Sequence, residues 1–369
     1  MTSENKLDLP ADSALSAGDP VPGGVAVAAG PAGQEPAGPP RWQWLTLLSP
    51  TRLSALYLWA FFMVLFGILS GSTFLTSTTY TLVFSEGVVV CILALAFLVP
   101  LACNEFDLSI GGNMVLSAAI NIYLYTHTGL PVGVTAAIGV LACVGMGCVT
   151  GFVVVRLRVS SFIATLGMSQ VLLAAALLIS GNQQMIGEFP ESWTTLGRGT
   201  ILGVPTVIFI LLGLSLVLWY IFEFTRIGRY LFAIGGNAEA ARLSGVRTDR
   251  FRTLSLVASG GLAGFAGVVY TMRTGVLTAS IGPSYLFPAA AAVFLGASQF
   301  SRRPNVWGTL IAYFALAFGI QGLLLTVSSS AVWVRPAFEG VSLIVVVAVA
   351  SQQAAVRLKT KRDRSESAA

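Results

Sequence analysis

Ten long apolar segments, divided by short polar loops, constrain this chain more than any other feature of its sequence. They run near 52–70, 80–102, 108–126, 131–155, 160–180, 201–223, 252–272, 287–300, 305–327 and 333–352. A helix that crosses a hydrocarbon core of about 30 Å needs about 20 apolar residues, and only the eighth segment is clearly short. The chain is 55% hydrophobic and 10% charged, whereas a soluble domain is about 25% charged. The sequence therefore predicts an all-α polytopic integral membrane protein with about ten transmembrane helices.

The basic residues lie in alternate loops, which predicts how the chain is oriented in the membrane. Basic groups precede the first segment, follow the fourth, sixth and eighth, and end the chain: Arg41, Arg52, Arg156, Arg158, Arg226, Arg229, Arg242, Arg247, Arg250, Arg252, Arg302, Arg303, Lys359, Lys361 and Arg362. The remaining loops carry few charges. Because cytoplasmic loops are enriched in Lys and Arg, both termini are predicted to be cytoplasmic. The net charge of +5 is then explained by these loops and not by binding to nucleic acid.

The two ends of the chain differ in composition from the part between them. Residues 1–45 are rich in Pro, Gly, Ala and Ser and contain no secretory signal, so we expect a disordered cytoplasmic tail. Residues 46–355 form one continuous membrane domain, because the loops within it are brief. Residues 356–369 form a basic cytoplasmic tail.

The scarcity of histidine and the spacing of cysteine exclude several classes of site. The chain has one histidine, His127, and four cysteines without CxxC spacing. Histidine-based metal sites and catalytic triads are therefore excluded, and the cysteines are interpreted as small buried hydrophobic residues. We expect no metal, no cofactor and no enzymatic activity in this chain.

A polar stretch, GRYLFAIGGNAEAARLSG at 228–245, interrupts the apolar pattern within the longest cytoplasmic loop, 224–252. Two adjacent glycines, at 235 and 236, are predicted to break the chain, and Asn237 can then cap a helix of about two turns. Glu239 suits the positive end of the helix dipole, and Gly245 can end the helix in a left-handed conformation. A helix this short is marginal by itself, so it needs a partner surface. The partner is either its own bundle or another protein.

Glu86 is the notable ionisable residue inside an apolar segment. Asp, Lys or Arg at the bilayer centre costs about 2.5–3.5 kcal/mol on insertion scales, so intramembrane charge often marks function. Glu86 lies toward the outer part of the second segment. We interpret it as facing a water-filled path or the outer interface. The alternative is a snorkelling or protonated carboxylate at the surface.

Several motifs together resemble the membrane permeases of ribose-type ABC importers, the family that carries ribose, xylose, arabinose and galactosides. Thr225–Val246 closely resembles the cytoplasmic loop of that family. The other motifs follow in the family's order: FDLSIG at 106–111, IATLGM at 163–168, LISG at 178–181, SGGLAGFAG at 259–267 and VWGT at 306–309. The resemblance covers roughly residues 56–350.

The resemblance implies a permease subunit in the bacterial plasma (inner) membrane that forms the path for a small polar solute, a monosaccharide. It further implies a cytoplasmic ABC ATPase with two nucleotide-binding domains, an extracytoplasmic solute-binding protein, and a second permease chain, identical or related. The family's coupling helix, which docks into a cleft of the ATPase, corresponds here to Gly236, Asn237, Glu239, Ala240, Ala241, Arg242 and Gly245. The chain itself has no GxxxxGK[ST] phosphate-binding motif, so a separate subunit must hydrolyse ATP.

Two further groups of residues have open interpretations. Asn104, Asp107 and Ser109, with Glu86, are candidates for a translocation path or gate, while Asp107 could instead cap the first turn of the third span. The glycines of the seventh span, which are predicted to allow close helix packing, are Gly260, Gly261, Gly264 and Gly267.

The chain departs from the sugar-permease pattern at two places. Asn104-Glu105 stands where a glycine pair is usual, and the stretch at 285–292 lacks the usual carboxylate. These changes leave the solute open. Two other classes compete with the importer: an ion-coupled secondary transporter, which would need ionisable residues near the midplane, and an intramembrane enzyme, for which histidines and paired carboxylates are lacking.

Overall fold

Long helices make up nearly all of the chain that the computed structural model describes, namely residues 54–297, 303–327, 333–345 and 348. The predicted tails at 1–45 and 356–369 lie outside these residues. In chain order the elements are α1 (Ser54–Phe74), α2 (Ser77–Leu101), α3 (Ile110–Thr128), α4 (Val132–Arg156), α5 (Ser161–Ser180), β1 (Met185–Ile186), α6 (Glu191–Arg198), β2 (Thr200–Ile201), β3 (Val204–Pro205), α7 (Thr206–Phe224), α8 (Arg226–Gly236), α9 (Ala238–Leu243), α10 (Thr248–Thr274), β4 (Val276–Leu277), a 3₁₀ turn (Ala279–Ile281), α11 (Gly282–Ala297), α12 (Val306–Val327) and α13 (334–345).

Eight helices of the described chain are long and apolar enough to cross a membrane: α1, α2, α4, α5, α7, α10, α12, and α11 together with its preceding 3₁₀ turn. The prediction of an all-α polytopic membrane protein is confirmed. A helix also lies at each of the two other predicted spans. α3 has 19 residues but carries polar side chains along its length, and α13 is described over 334–345 only. The count of ten and the cytoplasmic termini stay predictions.

Several predicted boundaries are wrong. The eighth span was expected from residue 287, but α11 begins at Gly282. The sixth span was expected from residue 201, but residues 200–205 form the small hairpin β2–β3, and α7 begins at Thr206. The chain was expected to break at Gly235 and Gly236, but α8 continues through Gly236, and the backbone turns extended at Asn237 (φ −160°, ψ 102°).

α2 lies at the centre of the bundle. Every residue from Gly87 to Pro100 is buried, which fits its nearly unbroken apolar sequence. α2 packs against α10, α11, α12 and α7. A helix that is apolar on all sides in this way is one surrounded by other helices.

α10 makes its closest contacts through glycine. A Cβ at Gly260 would lie 2.6 Å from the carbonyl oxygen of Cys143 in α4, and a Cβ at Gly267 would lie 2.3 Å from the carbonyl oxygen of Met114 in α3. A Cβ at Gly264 would lie 2.8 Å from the Cβ of Cys143, while Gly261 is less tightly opposed. Small residues of this kind let helix backbones approach where no hydrophobic force drives them together.

The bundle has two distinct ends. The basic end carries α8, α9 and the loops 102–109 and 157–160. The opposite end carries α6 and the short pairing of β1 with β4, in which Met185 faces Leu277. There the guanidinium of Arg198 donates to the carbonyl oxygens of Arg273 (2.6 Å) and Thr274 (2.8 Å), which fixes α6 to the end of α10.

Candidate functional site

The predicted coupling helix is present as α9, and its local chemistry is as the sequence indicated. The side chain of Asn237 accepts a hydrogen bond from the backbone N–H of Ala240 (3.0 Å). Gly245 has φ +84°, a left-handed conformation that glycine adopts at little cost. α9 spans six residues, slightly less than the two turns expected.

α9 presents most of its surface to the outside of the bundle. Ala241 is its one buried residue, and Leu243 is 79% exposed. Glu239 and Arg242 form an ion pair of 2.6 Å, but both side chains are about two-thirds exposed (66% and 65%), so the pair contributes little stability. The helix is therefore fixed by its caps, one buried alanine and neighbouring backbone, and it leaves a small-residue surface uncovered.

The chain on both sides of α9 lies against the same loop, 102–109. A Cβ at Gly235 would lie 2.3 Å from the carbonyl oxygen of Ala102, so only glycine allows this approach. Beyond α9, Arg252 donates through Nε to Oε1 of Glu105, whose side chain is 9% exposed. The loop connects α2 to α3, so the candidate coupling segment is joined to both helices.

The departure at Asn104-Glu105 has a structural explanation. Asn104 has φ +61°, in the left-handed region where asparagine is the most tolerated residue after glycine. Glu105 is the partner of Arg252. Asn104 thus keeps the left-handed backbone that glycine would allow, and Glu105 adds an ion pair with Arg252.

Asp107 orders the turn before α3 and does not cap its first turn. Its Oδ1 accepts from the backbone N–H of Ser109 (2.9 Å) and from the Ser109 hydroxyl. Ser109 is the N-cap residue of α3 and makes no side-chain capping bond. Asp107 is 1% exposed, and this burial raises the pKa of its carboxyl above the ordinary value, against hydrogen bonds that lower it.

α5 holds the same loop from a second side. The backbone N–H of Phe106 donates to the hydroxyl of Ser161 (3.1 Å), and that of Leu108 donates to the hydroxyl of Thr165 (3.0 Å). The motifs at 106–111 and 163–168, far apart in sequence, are therefore neighbours in space.

α3 and its N-cap residue carry a column of buried polar side chains, of which the sequence analysis singled out only Ser109. Ser109, Asn113, Ser117 and Asn121 are spaced four apart and are at most 1% exposed. The amide of Asn121 donates to Thr271 in α10 (2.9 Å) and accepts from Thr135 in α4 (2.7 Å). The four-residue spacing of polar side chains in an apolar segment was the available signal, since i and i+4 share one helix face.

Glu86 lies at the opposite end of the bundle from Asn104, Asp107 and Ser109. Its carboxylate is 3.9 Å from the guanidinium of Arg335, beside a cavity of 330 Å³. From Glu86 to the end of α2 is about 22 Å at 1.5 Å per residue. The four residues proposed for a translocation path or gate therefore lie in two groups at opposite ends of the bundle, and their role in transport stays a prediction.

The described residues contain no group of three His, Cys, Asp or Glu side chains that could hold a metal ion. Cys91, Cys103 and Cys143 are buried free thiols, as expected, and Cys148 is exposed.

The comparisons with known proteins agree on one family of transport proteins. The family described as "Branched-chain amino acid transport system / permease component" matches residues 79–350. The ribose import permease protein of Escherichia coli (strain K12) is 33% identical over 247 residues, 64% of this chain and 75% of that relative. The fructose import permease protein of Rhizobium meliloti is 29% identical over 304 residues, 79% of this chain and 82% of the relative. An autoinducer 2 import system permease protein of Enterobacter sp. (strain 638) is 32% identical over 278 residues, 74% of this chain and 78% of the relative. No solved structure matches the chain.

Proposed function

The chain belongs to the family of transport-system permease components, and from that premise we propose that it forms the translocation path of an ABC importer for a monosaccharide. The family itself makes it a multi-pass membrane protein and a transport subunit. The solute, the partners and the bacterial inner membrane as its location are parts of the proposal. Relatives named for the import of ribose, fructose and allose support the solute class.

The observation that carries the proposal is the exposed surface of α9. A capped, alanine-rich helix that buries only Ala241 leaves its other five residues exposed at the end where the basic loops lie. On the positive-inside rule that end faces the cytoplasm. ATP binding and hydrolysis by a separate subunit docked there would move α9, and with it the loop 102–109.

The proposal includes three kinds of partner. A cytoplasmic ABC ATPase with two nucleotide-binding domains binds α9. A second permease chain, identical or related, supplies the other half of the path. An extracytoplasmic solute-binding protein delivers the solute to the opposite end, where α6 and the β1–β4 pairing lie. Because none of the chain's residues forms a phosphate-binding GxxxxGK[ST] loop, we infer that this chain does not hydrolyse ATP.

The experiment is site-specific photocrosslinking in native membranes. A photoreactive residue replaces Leu243, which is 79% exposed on α9. The matched control replaces Leu202, which is 99% exposed in the turn between β2 and β3 at the opposite end. We expect an ATP-hydrolysing subunit to be captured from position 243 and not from position 202. Failure to capture an ATPase from position 243 contradicts the proposal.

An ion-coupled secondary transporter is the alternative, and it is not favoured by the family. Uptake of labelled D-ribose, D-fructose and D-allose by the reconstituted complex separates the two. Uptake by an importer requires ATP inside the vesicles, when α9 faces the vesicle interior, and does not require an ion gradient. Uptake driven by a sodium or proton gradient alone supports the alternative.

A further inference from the structure

The cavity beside Glu86 is lined by ionisable and aromatic side chains although it lies among helices. It has a volume of 330 Å³ and is enclosed by α2, α10, α11, α12 and α13. Sites for small molecules in proteins usually range from about 300 to 1,000 Å³, so this one suits a small solute. Glu86 and Arg335 are about half exposed (50% and 49%), which leaves one side of the cavity open. We call it the outer cavity.

The outer cavity is lined by acidic and basic side chains in equal number. Two carboxylates, Glu86 and Glu339, oppose two guanidiniums, Arg273 and Arg335. Glu86 and Arg335 are 3.9 Å apart, too far for a tight hydrogen-bonded pair. Glu339 is 7% exposed, and its Oε1 has no hydrogen-bond partner within the described chain. A buried acceptor without a donor is costly, so a bound molecule with hydroxyl groups would relieve it.

Three tyrosines form the other part of the wall. The rings of Tyr270 and Tyr285 meet edge to face at 5.7 Å. The ring of Tyr313 lies over Gly87, where a Cβ would come within 2.7 Å of the ring; the glycine beside Glu86 thus makes room for it. Tyrosine combines a flat apolar face with a hydroxyl that donates and accepts. The cavity therefore offers stacking surfaces beside its charged groups.

This combination fits one class of solute. The hydroxyls of a sugar donate to carboxylates and accept from guanidiniums, and the C–H faces of its ring pack on aromatic rings. Because side chains of both signs line the cavity, a solute with a net charge would meet groups of its own sign on the same wall, which is unfavourable. The side chains of the outer cavity are thus complementary to a neutral, polyhydroxylated molecule.

We propose that the outer cavity is a binding site for the transported solute and that it selects a neutral polyhydroxylated one, with Glu86, Glu339, Arg273 and Arg335 binding its hydroxyls. This inference rests on the proposed function, because it assigns residues to the path of the same permease. The stretch at 285–292 lacks the usual carboxylate. The carboxylates of the cavity lie instead on α2 (Glu86) and α13 (Glu339).

The first test is whether water and solute reach the outer cavity. In the full complex, with Cys148→Ser to remove the exposed native thiol, Gln321→Cys places a thiol on the cavity wall. Ile68→Cys is the matched control: both positions lie six residues before the ends of their helices, α12 and α1, but Ile68 is 80% exposed outside the bundle. An uncharged, membrane-impermeant thiol reagent, a glucose-conjugated methanethiosulfonate, is added from the end opposite to α9. We expect the thiol at position 321 to react at least tenfold faster, and equally slow reaction at both positions overturns the site.

The second test concerns the solute. The same labelling is repeated with D-ribose, D-fructose or D-allose, and with L-lysine and inorganic sulfate as comparisons that carry a net charge. The proposal expects at least one sugar to slow the reaction at position 321 several-fold, and neither lysine nor sulfate to do so. Protection by lysine or sulfate, or by none of the sugars, overturns the selectivity.

These tests fail separately from the proposed function. Accessibility at position 321 is measured without ATP, so it does not depend on α9. If position 243 captures no ATPase but the labelling results hold, the importer assignment fails and the site stands. If capture succeeds and position 321 is unreactive, the importer stands and the site fails.

Discussion

Nε of Arg252 lies 2.5 Å from Oε1 of Glu105, and this ion pair joins the first turns of α10 to the loop between α2 and α3. Replacing Arg252 with Gln leaves a buried carboxylate without its partner. We expect the free energy of unfolding to fall by up to about 3 kcal/mol, the lower end for a broken buried pair, because Arg252 keeps 30% exposure. Thermal denaturation of the purified protein measures the change.

The control for this pair is Arg250→Gln, two residues away at an exposed position. The double variant Glu105→Gln/Arg252→Gln removes both charges and should regain part of the loss. Equal stability of the Arg252 and Arg250 variants would show that the ion pair contributes nothing.

Glu239→Lys and Gly245→Asp are expected to leave the amount of protein in the membrane unchanged and to abolish ATP-dependent uptake by at least tenfold. The first reverses a charge on the exposed surface of α9, and the second places a side chain at φ +84°. Copurification of the ATPase and sugar uptake are the two measurements. Glu191→Lys, an equivalent reversal on α6 at the opposite end, should leave copurification of the ATPase unchanged. Normal uptake and copurification with Glu239→Lys argue against α9 as the coupling helix.

Gly267→Ala tests the close approach of α10 to α3. The new Cβ would lie 2.3 Å from the carbonyl oxygen of Met114, so α10 must move away, at a cost of about 1–3 kcal/mol for overpacking. Gly213→Ala in α7 is the control, since nothing lies within 4 Å of its Cβ position and alanine favours helix. The folded fraction after detergent extraction should fall for Gly267→Ala and stay unchanged for Gly213→Ala.

Asn104→Gly should be tolerated, whereas Asn104→Val should destabilise the protein by about 1–3 kcal/mol. The reason is the left-handed backbone at this position, φ +61°, which costs a β-branched residue much more than asparagine or glycine. Thermal denaturation compares the three proteins. A stable valine variant would mean that the loop relaxes into another conformation.

Cys103 should resist alkylation in the folded protein. It is 3% exposed, and burial raises its pKa to about 12, so about one thiol in ten thousand is ionised at pH 8. N-ethylmaleimide at pH 8 should therefore modify Cys103 only after unfolding, where the pKa returns to about 8.5. Raising the pH should accelerate the reaction of the folded protein about tenfold per unit. Modification at pH 8 as fast as in the denatured protein would show that the loop opens freely.

The sequence allowed the helices and α9 to be predicted because their signals are local. A span is defined by its own apolar length, and α9 by Asn237 and Gly245 at its ends. The continuation of α8 through Gly235 could not be predicted, since it depends on contact with Ala102, which is distant in sequence. Residues 200–205 are apolar enough to resemble a span but pair as a hairpin at the end of the bundle.

The outer cavity could not be predicted from the sequence for the same reason. Arg273 lies just beyond the predicted seventh span, which ends near 272, but it belongs to the last turn of α10 and lines the cavity together with residues from four other helices. Tyr285 belongs to the stretch that lacks the usual carboxylate, yet it lines a cavity that contains four acidic or basic side chains. Only Glu86 could be singled out, because a carboxylate in an apolar segment is conspicuous by itself.

The buried course of α2 has a mechanical consequence. Its inner end continues into the loop that Gly235 and Arg252 contact, and Glu86 lies on the same helix about 22 Å away. A rigid helix enclosed on all sides can slide or rotate only as one body. An axial shift of α2 at the end next to α9 would therefore displace the carboxylate of Glu86 at the far end without any relay of side chains.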